Sequence, residues 1–172
     1  MVLMNKMELL DILKKLSNNF GVYELMNVRI FLEKDMAHVP KEYRTHYINS
    51  YIGYYSKLLN NMKTIIPKNN NIGDKDCPID EEKYNKLMDR IEQLKPEDSK
   101  GSSFIKLSKI VVPYLVFIEG IPLHPVGMKF PGGNRVIKKN NNYYCPVKNK
   151  QDNKYSLCEF CICKDYNELD KK

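Results

Sequence analysis

Four of the chain's five cysteines fall within nineteen residues, at Cys145, Cys158, Cys161 and Cys163; the fifth, Cys77, stands far upstream. Free cysteines in a cytosolic protein are usually scattered and buried, so clustering calls for a chemical explanation. The first is a metal centre. Cys158 and Cys161 form a Cys-x-x-Cys pair, in which two sulfurs can converge on one ion while backbone N–H groups point at them. Cys145 supplies a third ligand, and Cys163 and Cys77 compete for the fourth place. Cys77 lies three residues before Asp80, the expected cap of a helix, where the positive end of the helix dipole favours a thiolate. Cys77 and Cys145 each precede a proline, a step that recurs at iron–sulfur ligands. Zinc sites more often use two paired knuckles, which this chain lacks. The residues therefore favour a 4Fe–4S cluster, with zinc as the alternative. The second explanation is a redox dithiol at Cys158 and Cys161. Thioredoxin-like motifs sit at a strand-to-helix junction, and no strand pattern precedes Cys158. The third is that these are incidental buried thiols.

Just upstream of the cluster, the segment from Ile121 to Gly133 holds three prolines and three glycines. His124 lies between Pro122 and Pro125 and is a candidate cofactor-binding or acid–base group beside the cysteines. The plainer reading is a rigid covering loop with a hydrogen-bonded histidine. Gly132 and Gly133 do not make a phosphate-loop motif. His38 and His46 read as surface or helix-end residues. Tyr43, Tyr47, Tyr51, Tyr54 and Tyr55 have the look of a base-stacking platform, but at helical spacing they read as core and interface residues. No serine–histidine–acid order, paired carboxylates or HExxH motif appears, so the chain reads more as a non-enzyme than as an enzyme.

The elements that must position these groups are mostly helices. Leu9, Ile12, Leu13 and Leu16 share one helical face. A second helix follows Gly21 with Leu25, Val28, Leu32 and Met36 inward. Pro40 opens a third, with Ile48, Tyr51, Tyr55, Leu59 and Met62 inward. The polar stretch 68–75 reads as a loop. Asp80 caps a fourth helix, with Ile79 and Tyr84 spaced as a hydrophobic staple and Tyr84, Leu87, Met88, Ile91 and Leu94 as its stripe. Asp98 to Ser103 reads as a turn-rich linker. A fifth helix begins near Ser103, kinked at Pro113, with a strand as the alternative for its second half. The fold class is thus mainly α: a bundle of about five helices over residues 1–120, followed by an irregular, Cys-rich module over 121–172. Residues 135–138 and 143–144 can form a short hairpin around an asparagine run.

The 172 residues carry a formal net charge of +7, and the tail from Ile121 onward holds ten basic against five acidic residues. Four thiolates on zinc or an oxidised four-iron cluster would offset about two of those charges. Both signs are interspersed, so the excess reads as a solvated surface. It leaves a zinc-stabilised nucleic-acid binder as an alternative. The longest apolar stretch, Ile110 to Ile118, is too short for a membrane span and contains Pro113. The first apolar run is broken by Asn5, Lys6 and Glu8, unlike a signal peptide. The expected location is the cytoplasm.

Four segments together resemble a known family: His124-Pro-Val-Gly127, Phe130-Pro-Gly-Gly133, Tyr143-Tyr-Cys-Pro-Val-Lys148 with Lys150-Gln151, and Leu157-Cys-Glu-Phe-Cys161. They are similar to uncharacterised protein family 0305 (domain of unknown function 2115) of methanogenic archaea. The resemblance is specific between His124 and Cys163; upstream it is a general match to a helical region. Met128 stands where the family's usual residue is threonine. The resemblance implies a methanogen, hence a cytoplasm rich in iron–sulfur proteins, and adds weight to a cluster over zinc. It marks Cys145, Cys158, Cys161 and His124 as motif positions and implies no particular activity. The expectation is a cysteine-ligated metal-binding accessory protein, attached to a larger enzyme or assembly complex of the methanogen. A zinc-stabilised nucleic-acid binder and a thiol enzyme using Cys158 and Cys161 stand as alternatives.

Overall fold

Capping chemistry sets where the helices begin. In the computed structural model, which describes residues 3–65 and 76–169, α1 (Lys6–Asn18) starts in a capping box. The Asn5 side chain accepts from the Glu8 N–H, and Glu8 accepts from the Asn5 N–H, both at 2.9 Å. Glu24 reaches back to the Gly21 N–H to start α2 (Val22–Asp35). Pro40 immediately precedes α3 (Lys41–Thr64). Asp80 caps α4 (Glu81–Glu92) by accepting from the Lys83 N–H. Asp98 accepts from the N–H groups of Lys100 and Gly101 and starts α5 (Ser99–Pro113). The expected linker from Asp98 to Ser103 is therefore the first turn of a helix. A run rich in Ser and Gly resembles a turn by composition, but one well-placed carboxylate is enough to begin a helix there. The expected loop 68–75 lies outside the described residues.

The chain does not break at Pro113. It continues as a π-helical turn, Tyr114–Glu119, so neither a sharp end nor a strand follows the proline. The turn closes with the Gly120 N–H donating to the Leu115 carbonyl at 2.9 Å, and Gly120 itself adopts φ +62°. Together, Ser99–Glu119 is a 21-residue helix long and apolar enough to cross a membrane, but most of it is buried inside the protein. It is apolar on several sides because α1, α2, α3 and α4 all pack against α5.

The inward stripes of α2, α3 and α4 agree with their spacing: Val28, Leu32, Ile48, Tyr51, Tyr55, Leu59, Met62, Leu87 and Ile91 are all buried. On α1 the buried face is instead Leu9, Leu10, Leu13 and Ser17, while Ile12 and Leu16 are 45% and 44% exposed. The helix is turned by about one position because both Leu9 and Leu10 are taken into the core. Each fully buried leucine contributes about 1.5–3 kcal/mol of transfer free energy, which outweighs leaving two others half-covered.

After Gly120 the backbone is irregular up to a small sheet of β1 (Ile137–Lys139), β2 (Asn142–Cys145) and β3 (Lys164–Asp165), in the order β1-β2-β3. The β1–β2 hairpin pairs Lys139 with Asn142, and its two turn residues, Asn140 and Asn141, sit at φ +50° and +64°. Asparagine tolerates that left-handed pair better than most residues, so the asparagine run makes the turn. β3 joins β2 in parallel, Tyr144 against Lys164 and Cys145 against Asp165. The core is continuous across the chain: Met128, Phe130, Val136, Phe160 and Cys163 join the helical residues in one buried cluster.

Candidate metal centre

Each cysteine of the tail is held by a different local device. Cys145 ends β2, and Pro146 fixes the first corner of a turn closed by the Lys148 N–H donating to the Cys145 carbonyl at 3.3 Å. In that turn the N–H groups of Val147 and Lys148 face the Cys145 sulfur. Cys158 opens a short 3-10 turn, Cys158–Phe160, closed by the Cys161 N–H on the Cys158 carbonyl at 3.1 Å. The Cys158 N–H donates to the Ser156 hydroxyl. The N–H groups of Leu123 and Cys163 face the Cys161 sulfur. Cys163 leads directly into β3, which brings it beside β2 and Cys145.

The four sulfurs share one surrounding. Cys145, Cys158, Cys161 and Cys163 line a cavity of about 480 Å³ together with His124, Lys148 and the α3 tyrosines Tyr47, Tyr51 and Tyr55. The neighbouring Cys163 thiol holds the Cys161 thiol below its usual range, against the opposing effect of burial; backbone N–H groups and the Lys148 ammonium help. The Cys161 thiol and burial in turn push the Cys163 thiol up. Burial raises Cys145, partly offset by the N–H groups of its turn. Cys77 does not line this cavity. It lies beside the start of α1, where its carbonyl accepts from the Lys6 N–H at 3.1 Å and its thiol faces the Pro78 carbonyl. Of the two competitors for the fourth position, the structure groups Cys163 with the others and leaves Cys77 apart.

His124 is fixed by its neighbours. Its Nε2 shares a hydrogen bond of 3.2 Å with the Tyr47 hydroxyl, and its ring lies edge-on to Phe130 at 5.5 Å. Burial pushes its pKa down to about 4, so the imidazole is neutral at neutral pH. Two more bonds from α3 fasten the same loop: Tyr54 donates to the Pro122 carbonyl at 2.7 Å, and His46 accepts from the Lys129 N–H at 3.2 Å. His46 is thus a loop anchor. Tyr51 and Tyr55 are buried, their rings stacked at 4.1 Å, and so present no face to a nucleic-acid base.

Two charged residues shape the site without being legible as site residues from spacing. The Lys148 ammonium donates to the carbonyls of Cys158 and Cys161, the latter at 3.0 Å, and so clips the Cys-x-x-Cys turn to the Cys145 turn. Glu159, inside that turn, is gripped by Lys86 at 2.9 Å and by Arg90, whose other nitrogen donates to the Ser156 carbonyl at 2.8 Å. Both partners come from α4. A lysine three residues after a Cys-Pro step is the only sequence signal that points to the clip; the α4 grip has none.

Thiolates with N–H groups aimed at them are the donor set that zinc and iron–sulfur clusters take. The donor chemistry fits such a group. In the arrangement described, no three His, Cys, Asp or Glu side chains among the described residues converge closely enough to hold an ion. Holding an ion there would require the sulfurs to stand closer together than they do.

Comparison with known proteins gives one consistent result. The family model described as an uncharacterised protein conserved in archaea (DUF2115) matches residues 5–166. A protein of uncharacterised family 0305 from Methanocaldococcus jannaschii is 46% identical over 170 residues, covering 96% of this chain and 99% of the relative. One from Methanococcus maripaludis strain C7 is 40% identical over 166 residues, covering 96% and 100%. A more distant one from Methanopyrus kandleri is 27% identical over 125 residues, covering 71% and 83%. No solved structure matches the chain.

Proposed function

The chain belongs to the archaeal DUF2115 family, and we propose that within it the chain is a cysteine-ligated metal-binding accessory protein of the methanogen cytoplasm. Cys145, Cys158, Cys161 and Cys163 would hold the metal, a 4Fe–4S cluster in preference to zinc. The observation that carries this reading is that Cys145, Cys158, Cys161 and Cys163 line one cavity, with backbone N–H groups beside the sulfurs of Cys145 and Cys161. N–H donors on sulfur stabilise a thiolate and so favour metal over proton. When bound, the group would supply either a structural tie or a one-electron relay. The chain's own residues do the rest. Lys148 holds the two turns in register and offsets thiolate charge, while neutral His124 and the Pro–Gly loop cover the site. Association with a larger enzyme or assembly complex is supported by an apolar stripe on α2, where Tyr23, Met26 and Ile30 are 74%, 59% and 50% exposed at helical spacing.

The test is anaerobic purification followed by metal analysis and a visible spectrum. Brown protein with iron and acid-labile sulfide is the expected result, and one colourless zinc per chain supports the same site with the other metal. Cys145→Ser and Cys161→Ser should lose the metal, while Cys77→Ser keeps it. Metal-free native protein, or full metal retention by Cys145→Ser, would overturn the reading.

A second reading, a thiol redox protein, is favoured by one contact. Cys161 and Cys163 lie close enough for their thiols to perturb each other, in place of the Cys158–Cys161 pair suggested by spacing. In that reading the two thiols join as a disulfide, giving two electrons and two protons to a disulfide-bearing partner, whose bond is reduced. Mass mapping of metal-free protein after exposure to oxidised glutathione separates the two readings.

A further inference from the structure

The sulfur-lined cavity is larger than a metal needs. At about 480 Å³ it falls within the range of small-molecule sites. Its lining also holds Phe31 and Phe104, stacked on each other at 4.6 Å, and Tyr155. Phe31, Phe104, Leu94, Asp35 and Tyr155 also line an adjoining groove of about 900 Å³, between α2, the start of α5 and the cysteine loop. The groove is rimmed by Lys34, Lys95, Lys100 and Lys154, none of which has an ion-pair partner within 4.0 Å among the described residues. Of the three carboxylates in the groove, Asp98 is spent on the N–H groups of α5, leaving Asp35 and Glu97 against four ammonium groups.

We propose that the cavity and groove form one binding site for a planar aromatic molecule bearing an anionic group. The ring lies against the Phe31–Phe104 pair and Tyr155, its inner edge toward the cysteines, and the anion lies at the lysine rim. Aromatic side chains lining a cleft favour flat aromatic ligands in edge-to-face or offset contact. Ammonium groups on flexible stems take a phosphate or carboxylate without a fixed geometry, which suits a rim more than a buried clamp. The groove itself is lined by no cysteine, so binding there does not require the metal.

Flavin mononucleotide serves as the probe, with riboflavin as its uncharged counterpart and inorganic phosphate as the anion alone. Titration of full-length protein, followed by flavin fluorescence, should give saturable 1:1 quenching by FMN that weakens with added salt. Riboflavin should bind at least about fivefold more weakly, and phosphate should compete only at high concentration. The Lys34→Glu, Lys154→Glu double variant should lower FMN affinity about tenfold while leaving riboflavin binding unchanged. Both substitutions are on exposed side chains, and an unchanged circular dichroism spectrum checks the fold. FMN should also slow iodoacetamide alkylation of Cys158. Absence of saturable quenching overturns the site. Equal binding of FMN and riboflavin, unaffected by the double variant, overturns the anionic half of the assignment.

Discussion

At the residue scale, two side chains have consequences that can be measured whether or not the cysteines hold a metal. Lys148 joins two turns through two charge-assisted hydrogen bonds to carbonyls. Lys148→Met keeps the stem but removes the ammonium from both carbonyls, leaving the Cys158 carbonyl only the Cys161 N–H, and should cost about 2 kcal/mol in urea unfolding of metal-free protein. His124, with its pKa pushed down to about 4 by burial, binds fewer protons folded than unfolded between pH 4 and about 6.5. Stability therefore rises with pH across that window and is lost as pH falls through it, by something on the order of 2–3 kcal/mol. Urea midpoints measured from pH 4.5 to 7 should show the slope, and His124→Gln should flatten it while retaining an acceptor for Tyr47. Of these residues, His124 and three cysteines stood out in the sequence by type and spacing. The fourth cysteine did not, because choosing Cys163 over Cys77 depends on β3, a two-residue strand too short to carry an alternation pattern. Lys148 was visible only as part of a motif, since what it grips lies ten and thirteen residues away.

At the element scale, caps and turns decide more than propensity. Gly120 ends the π turn in the left-handed region, with its N–H bonded to Leu115. Gly120→Ala should destabilise by about 1 kcal/mol through backbone strain, read as a lowered melting temperature. The helical stripes of α3 and α4 were legible because their apolar spacing has a single solution, whereas α2 carries a second apolar stripe, Tyr23, Met26 and Ile30, that stays exposed. The face of α1 was not: Leu9, Leu10, Ile12, Leu13 and Leu16 offer two overlapping stripes, and only contact with α3 and α5 chooses between them. The start of α5 was hidden because Ser99 to Ser103 has the composition of a turn, and the helix there is set by the Asp98 carboxylate.

At the scale of the whole molecule, the division at residue 120 marks a change of backbone style within one core. Phe160, Cys163 and Val136 bury themselves with Leu107, Val111 and Tyr55, and three side chains of α3 fasten the Pro–Gly loop. Helical body and tail should therefore unfold in one transition, with far-ultraviolet and near-ultraviolet circular dichroism melting together. Two separated transitions would show that the tail folds on its own. Residues 1–120 expressed alone should lack a cooperative melt, because the truncation exposes the inner faces of α3 and α5.

The grip of α4 on Glu159 has a further reach. Lys86 and Arg90 lie on the outward side of a helix whose other face is in the core, and they hold a residue inside the Cys158–Cys161 turn. Any rearrangement of that turn is thus felt as a tug on a surface helix. A surface helix and the loop of the cysteines are thereby tied through one carboxylate, so that changing Glu159 alone would loosen both at once.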